Sequence, residues 1–291
     1  MARDDASDPL ARIRAAGPRL SSGQRRVAEY LASHHHDAAF QSAAAIAERC
    51  NVSESSVVRF ASALGYDGFP ALSRALQAML KARLTLPERM RQRPRDLPHD
   101  AAHAEALDAA LERDVGNLEE AARTLDRAAF TAAVDALLAA RRVFVIGLRG
   151  SAHLAALAAV LLGKAGADTR ALTCGDIGLF DALRDVGSDD AVLVFSFARY
   201  TRRAVDALRL ARARGATTIA VTDAPLAPAA GASEQVLVVP VASHAFNHSY
   251  VAAVALIDAL VLAWATRAEA RTLASLETFE RVLPTGELLT P

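Results

Sequence analysis

The chain has 291 residues, 52% of them hydrophobic, and balances 33 Lys+Arg against 33 Asp+Glu. That length and apolar content exclude a disordered tract and leave room for two packed domains of ordinary size. The longest apolar stretch, VAAVALIDALVLAW at 251–264, has only 14 residues with Asp258 among them, short of the roughly 20 a membrane helix needs, so no membrane role is expected.

Two other classes are disfavoured. The start, MARDDASDPL, has three acids and no apolar core, so it does not read as a secretory signal. Cys50 and Cys174 are the only cysteines; with no CxxC and no even-numbered framework they read as small buried hydrophobes in a reducing cytoplasm. The zero net charge is unevenly placed: residues 10–95 hold 14 Lys+Arg against 6 Asp+Glu, and the rest 19 against 27. A basic module that could meet a polyanion therefore precedes an acidic module with another task.

From 20 to 82 the pattern is of short helices and tight turns. The segment QSAAAIAERCNVSESSVVRFASALG, 41–65, fits a helix-turn-helix, with Ile46, Ala47, Cys50, Val52, Val57 and Phe60 facing inward. Asn51 falls where the chain must turn, and Asn tolerates the left-handed conformation. Ser53 is a natural N-cap, its hydroxyl expected to accept from an orphan backbone N–H of the second helix. The outward face of that helix presents Glu54, Ser55, Ser56, Arg59 and Ser62. Ser53, Ser55, Ser56 and Arg59 are the candidate major-groove readers, and Arg25, Arg26 and Arg49 the candidate backbone contacts. The competing reading is a three-helix bundle for protein contacts. His34, His35 and His36 are consecutive, so they radiate around a helix instead of sharing the i, i+4 face that metal ligation needs; no metal site is expected.

The Arg- and Pro-rich stretch 83–100 reads as a linker with room for a short helical piece. Helical spacing follows over 101–140, with interruptions expected near Gly116 and Asp126. Then the period changes. RVFVIG (142–147), DTRALT (168–173), AVLVFSF (191–197), TTIAVTD (217–223) and QVLVVPV (235–241) are nearly continuous apolar runs alternating with helical pattern. Such strands are buried on both faces, as in a parallel sheet between helical layers. The expected fold is therefore an all-α helix-turn-helix domain at 10–82, then an α/β doubly wound parallel-sheet domain at 141–268 and a helical tail at 269–291.

Ligands of such sheets bind where the strands end and the βα loops begin. After the first strand, GLRGSAH offers Gly147, Arg149, Gly150 and Ser151: two glycines for a tight turn and a hydroxyl able to cap the next helix, a geometry suited to an anion. It lacks the GK[ST] ending of a P-loop, and no cofactor is expected. After the third strand, VLVFSFARYTRR offers Ser196, Arg199 and Thr201, the last a candidate N-cap and Arg199 a planar donor fork for phosphate. The two loops can face each other across the crevice. For catalysis the loops supply no acid: Asp223, in TDAPLAP, reads as the start of a turn. His244 and His248 are the only candidate bases, with no identifiable partner, so the chain is not expected to be an enzyme.

Taken together, LSSGQRRVAEYLASH, IAERCNVSESSVVRFASALGYDGFPAL, VFVIGLRGSAH and SFARYTRRAVDALRLARARGATTIAVTDAPLAPAA resemble the RpiR-type bacterial transcription regulators over about residues 20–265. The resemblance implies an N-terminal helix-turn-helix bound to operator DNA and a C-terminal sugar isomerase (SIS) domain. That domain would bind a phosphorylated sugar or related metabolite, which alters DNA affinity in a homodimer or homotetramer. In SIS domains the anion loop typically reads S-x-S-G-x-T. Here Ser196 and Thr201 match, but Ala198 replaces the second Ser and Arg199 the Gly. Losing a hydroxyl that met a charged oxygen costs about 1.5 to 3 kcal/mol, and a nearby Arg offsets that. The expected ligand is thus anionic, either a sugar phosphate or a carboxylate-bearing metabolite. The alternative is a phosphosugar isomerase-like enzyme with an accessory helical domain.

Overall fold

A computed structural model describes residues 9–17, 20–83, 85–91 and 103–282, in two compact units, Met1–Thr85 and Leu86–Pro291. The first is helical: α1 (Pro9–Ala16), α2 (Ser22–Ala38), α3 (Ala43–Arg49), α4 (Glu54–Ala63) and α5 (Gly68–Arg83). Local chemistry fixes the helix starts. Ser21 and Gln24 form a reciprocal capping box at α2, and the Ser42 hydroxyl accepts from Ala45 N–H at α3, each satisfying donors a helix start would orphan. Two ends close with left-handed residues, Asn51 (φ 49°) after α3 and Gly65 (φ 84°) after α4. In both, the following residue donates back to the third-last helical carbonyl, Val52 to Ala47 and Tyr66 to Ala61, the pattern of a Schellman motif. Val27, Leu31, Ile46, Val57, Phe60, Leu72 and Leu76 form a fully buried core.

The second unit begins with α6 (Leu86–Arg91), inside the stretch expected to be linker, and continues with α7 (His103–Thr124) and α8 (Arg127–Ala139). The expected break at Asp126 is present, its carboxylate capping α8 by accepting from Ala128 and Ala129 N–H. The expected interruption at Gly116 is absent; α7 runs straight through it. A lone helical Gly costs only about 1 kcal/mol, and packing of α7 on the later helix α12 (Val251–Arg267) outweighs that.

Five parallel strands follow: β1 (Arg142–Gly147), β2 (Thr169–Leu172), β3 (Asp190–Phe195), β4 (Thr217–Thr222) and β5 (Gln235–Val238), in the order β2-β1-β3-β4-β5. They alternate with α9 (Ala152–Lys164), α10 (Ile177–Ala182) and α11 (Arg202–Ala213). The strands read as unbroken apolar runs because each face meets its own helical layer. Val143, Val145, Leu193 and Phe195 pack with α8, α9 and α12, whereas Phe144, Ile146, Val192 and Val194 pack with α10 and α11. The fifth strand stops at Val238, not at 241; Pro240 has no N–H to extend a ladder. At the amino edge Asp190, its side chain wholly buried, accepts from Arg142 Nη2 at 2.8 Å and from Arg141 at 3.2 Å. α13 (Glu269–Val282) closes the fold through Thr272 Oγ1 to Ala165 O at 3.0 Å.

Because β1 and β3 are adjacent and in register at Gly147 and Phe195, their carboxyl ends place two loops side by side, at the point where the strand order reverses. That crevice is where an open α/β sheet takes ligands.

Candidate functional site

Two sites were expected, one in each unit. In the helical unit, α4 exposes Glu54, Ser55, Arg59 and Ser62, with Val58 among them. The Ser53 hydroxyl lies 2.9 Å from Ser55 Oγ and 2.8 Å from Ser56 Oγ, and Arg59 donates to Ser56 Oγ at 3.3 Å. Ser53 occupies the N-cap position, but its hydroxyl makes no capping bond. The hydroxyls are knitted to one another instead of capping the helix. Arg25 and Arg49 are exposed. Arg26 is occupied differently: its Nε and Nη2 donate at 3.0 Å to the carbonyls of Cys50 and Asn51. It closes the turn between α3 and α4 and so sets the angle at which α4 is presented.

In the α/β unit, a cavity of about 400 Å³ opens at the carboxyl edge, and all seven expected residues except Gly147 line it: Arg149, Gly150, Ser151, Ser196, Arg199 and Thr201. Gly147 acts from behind. A Cβ there would fall 2.1 Å from the Ser151 carbonyl oxygen and 2.9 Å from Ala155 Cβ, so only Gly lets the single 3-10 turn Arg149–Ser151 fold back against β1. At Gly150 a Cβ would meet Tyr250 Oη at 2.7 Å. Tyr250 shares a hydrogen bond with the Ser151 side chain, and burial raises its phenol pKa above the ordinary value.

Arg149 and Arg199 are both left-handed, at φ 59° and 64°, a conformation costing an L-residue about 1–2 kcal/mol. Such strain clusters at ligand sites. Ser151 and Thr201 stand at the N-cap positions of α9 and α11 without making side-chain capping bonds, contrary to expectation, so neither hydroxyl is committed to the helix behind it. The Ser196 hydroxyl is buried and has no hydrogen-bond partner among the described residues. A buried hydroxyl in that state costs about 1–3 kcal/mol, which a ligand oxygen at the cavity wall would recover.

Sequence reasoning misses Arg89 and Tyr250 and gives Asp223 and His248 other tasks, a turn and a base. Arg89, on α6, lines the cavity beside His248 and Tyr250. His248 Nε2 lies 3.0 Å from Ala198 O and 3.2 Å from Arg89 Nη1; a protonated Nε2 donates to the carbonyl and a bare one accepts from the guanidinium. Asp223, expected to start a turn, accepts from Ala198 N–H at 3.3 Å and from the Tyr200 side chain, holding the β3 loop to β4. Burial pushes both the Asp223 carboxyl and the Tyr200 phenol upward. Position was the available signal for Asp223, since it ends the strand beside β3 at the ligand edge. His244 is not among the cavity-lining residues.

Comparison with known proteins places both halves. Residues 8–83 match the model described as a helix-turn-helix domain of the rpiR family, and residues 136–263 match the SIS domain. The transcriptional regulator HexR of Pseudomonas aeruginosa is 28% identical over 79% of this chain and 78% of its own. The structure of Vibrio vulnificus NanR complexed with ManNAc-6P shares the fold over 95% of this chain and 98% of that one, at 23% identity and a TM-score of 0.57. The sugar isomerase domain of an RpiR transcription factor from Sphaerobacter thermophilus is 30% identical, with a TM-score of 0.60, over 61% of this chain and 99% of that one. With an rpiR-type helix-turn-helix ahead of a SIS domain, and with that likeness, this chain belongs to the RpiR family of helix-turn-helix transcription regulators.

Proposed function

We propose that α4 enters the major groove of operator DNA, and that a small anionic metabolite bound in the SIS cavity changes the affinity of that contact. The observation that carries the first half is the hydroxyl row Ser53, Ser55 and Ser56 beside Arg59 on the exposed face of α4, in a unit that matches the rpiR helix-turn-helix. Short polar side chains near the start of a recognition helix reach base edges, and Arg suits a guanine edge or a phosphate. Arg25 and Arg49 add phosphate contacts, while Arg26 works through the turn. The second half is supported by the left-handed arginines and the unsatisfied Ser196 hydroxyl, and by the sugar phosphate in the related NanR structure.

Two recognition helices on successive turns of DNA require at least a dimer. Leu107, Leu111, Val115 and Leu118 are exposed on α7, and an apolar row at this spacing is the form of a helix-packing seam. This reading makes the chain a cytoplasmic homo-oligomer without catalytic turnover.

The test is binding of the purified protein to the duplex upstream of its own gene at several salt concentrations, for wild type and Arg59→Ala. The log–log slope should be steep, at about −0.9 per phosphate neutralised, and the variant should bind about 5- to 100-fold more weakly. Equal, weak, salt-insensitive binding by both proteins would overturn the assignment of α4.

A further inference from the structure

The major groove shows hydrogen-bond donors and acceptors at every base pair and one kind of apolar group, the 5-methyl of thymine. On α4 the large apolar residue that faces outward is Val58. It is 40% exposed, whereas Val57, Phe60 and Ala61 are wholly buried. The packing of α4 against the helical unit rests on those three, not on Val58. Ser55, Val58, Arg59 and Ser62 stand at i, i+3, i+4 and i+7 of the helix, a spacing that puts them on one stripe.

The polar groups around Val58 are turned elsewhere. Ser55 and Ser56 are bonded to Ser53, and Ser62 Oγ donates back to the Val58 carbonyl at 3.3 Å. Arg59 reaches toward the start of the helix, donating to Ser56 Oγ at 3.3 Å. The two γ-methyls of Val58 are thus the apolar point of a stripe whose hydroxyls are already engaged. A β-branched residue is a poorer helix former than Ala or the straight-chain residues, so local structure gives no reason for valine at an exposed position. What valine does supply is stiffness. A helix leaves it essentially one χ1 rotamer, so its methyls are fixed before a partner arrives and lose little freedom on contact.

Resting on the reading of α4 as the recognition helix, we propose that Val58 is a specificity-determining residue that packs on the 5-methyl group of a thymine in the operator. Arg59, one residue further on, meets a guanine edge or a phosphate beside that base pair. Cytosine in place of the thymine removes the methyl and sets an N4 donor against an apolar side chain. The donor is then shielded from water without an acceptor, which adds to the loss of the methyl contact. Val58 therefore separates thymine from cytosine at one position, where the serine hydroxyls, able both to donate and to accept, tolerate either base.

The experiment measures binding of the full chain to the duplex upstream of its own gene, and to the same duplex with every thymine replaced by uracil. That replacement deletes the 5-methyl and keeps each Watson–Crick pair and each phosphate. Wild type should bind the thymine duplex about 4-fold more tightly for each methyl that Val58 covers, the worth of burying one methyl group. Val58→Ala, which places a better helix former at an exposed position, should lose that factor. Ser62→Ala, on the same stripe but with its hydroxyl turned to the backbone, should keep it. Loss of the methyls also changes how easily the duplex deforms; that effect is common to all three proteins, so comparing their thymine-to-uracil ratios isolates the contact. The same ratio in wild type and Val58→Ala would overturn the thymine contact. If Arg59→Ala still weakened binding in that case, the recognition helix would stand without this reader. Weak, salt-insensitive binding of both duplexes, unchanged in Arg59→Ala and Val58→Ala alike, would overturn the helix assignment and the contact together.

Discussion

Gly147→Ala is the sharpest perturbation of the effector cavity, because the glycine touches no expected ligand and acts only through backbone geometry. Its new Cβ would lie 2.1 Å from Ser151 O and 2.7 Å from Ser151 C, so the Arg149–Ser151 turn would have to withdraw by more than an ångström. Backbone cannot rotate away as a side chain can, and overpacking of this kind costs about 1–3 kcal/mol. Gly150→Ala is the matched control. Its Cβ meets the tip of the Tyr250 side chain at 2.7 Å; the ring can swing aside, and the Ala restricts the unfolded chain, a gain of about 0.4–1 kcal/mol. Its net change should stay within about 1 kcal/mol. Trp264 is the chain's one tryptophan and is buried in the α/β unit, so urea unfolding followed by its emission reports that unit. With a urea slope of about 1–3 kcal/mol per molar, Gly147→Ala should lower the midpoint by roughly 1 M and Gly150→Ala should barely move it. Equal midpoints for the two variants would contradict a backbone clash at Gly147.

Asp190→Ala should destabilise the same unit by about 1.5–3 kcal/mol, because it removes the buried carboxylate that Arg142 meets at 2.8 Å, while Asp185 still meets that guanidinium at 2.9 Å; a midpoint like wild type in the Trp264 assay would contradict this. Asp223 should leave a pH signature. Burial raises its carboxyl above the ordinary 3.8, so the folded chain holds that proton more tightly than the unfolded chain. The contribution is full below the ordinary value and is lost as pH rises through the raised one. Asp190, held below the ordinary value, works in the opposite direction, so the test is the difference between wild type and Asp223→Asn. That difference should fall with increasing pH above about 4, and a flat or rising difference would contradict the assignment.

The fold was legible where a residue's task is local or its burial uniform. Continuous apolar runs such as RVFVIG betray a sheet covered on both faces, and Asn51 betrays the turn because few residues accept φ 49°. Gly116 misled because its cost inside a helix is small against the packing of α7. Ser53, Ser151 and Thr201 stand where capping residues stand, yet their hydroxyls do not cap; sequence gives the position of a hydroxyl, not its rotamer. The cavity was half visible. The loops after β1 and β3 announce themselves by Gly, Ser, Thr and Arg, whereas Arg89, Asp223, His248 and Tyr250 come from segments up to 161 positions apart and carry no local motif that ties them together.

If one chain joins DNA recognition to metabolite binding as proposed, the two affinities are linked. A ligand that binds the SIS cavity should be titrated against operator duplex, measuring operator affinity with and without saturating ligand and ligand affinity with and without saturating operator. Both affinities should change by the same factor, about 5- to 150-fold, and the change should disappear in Arg199→Gly. Operator affinity that stays constant while the cavity is saturated would contradict it.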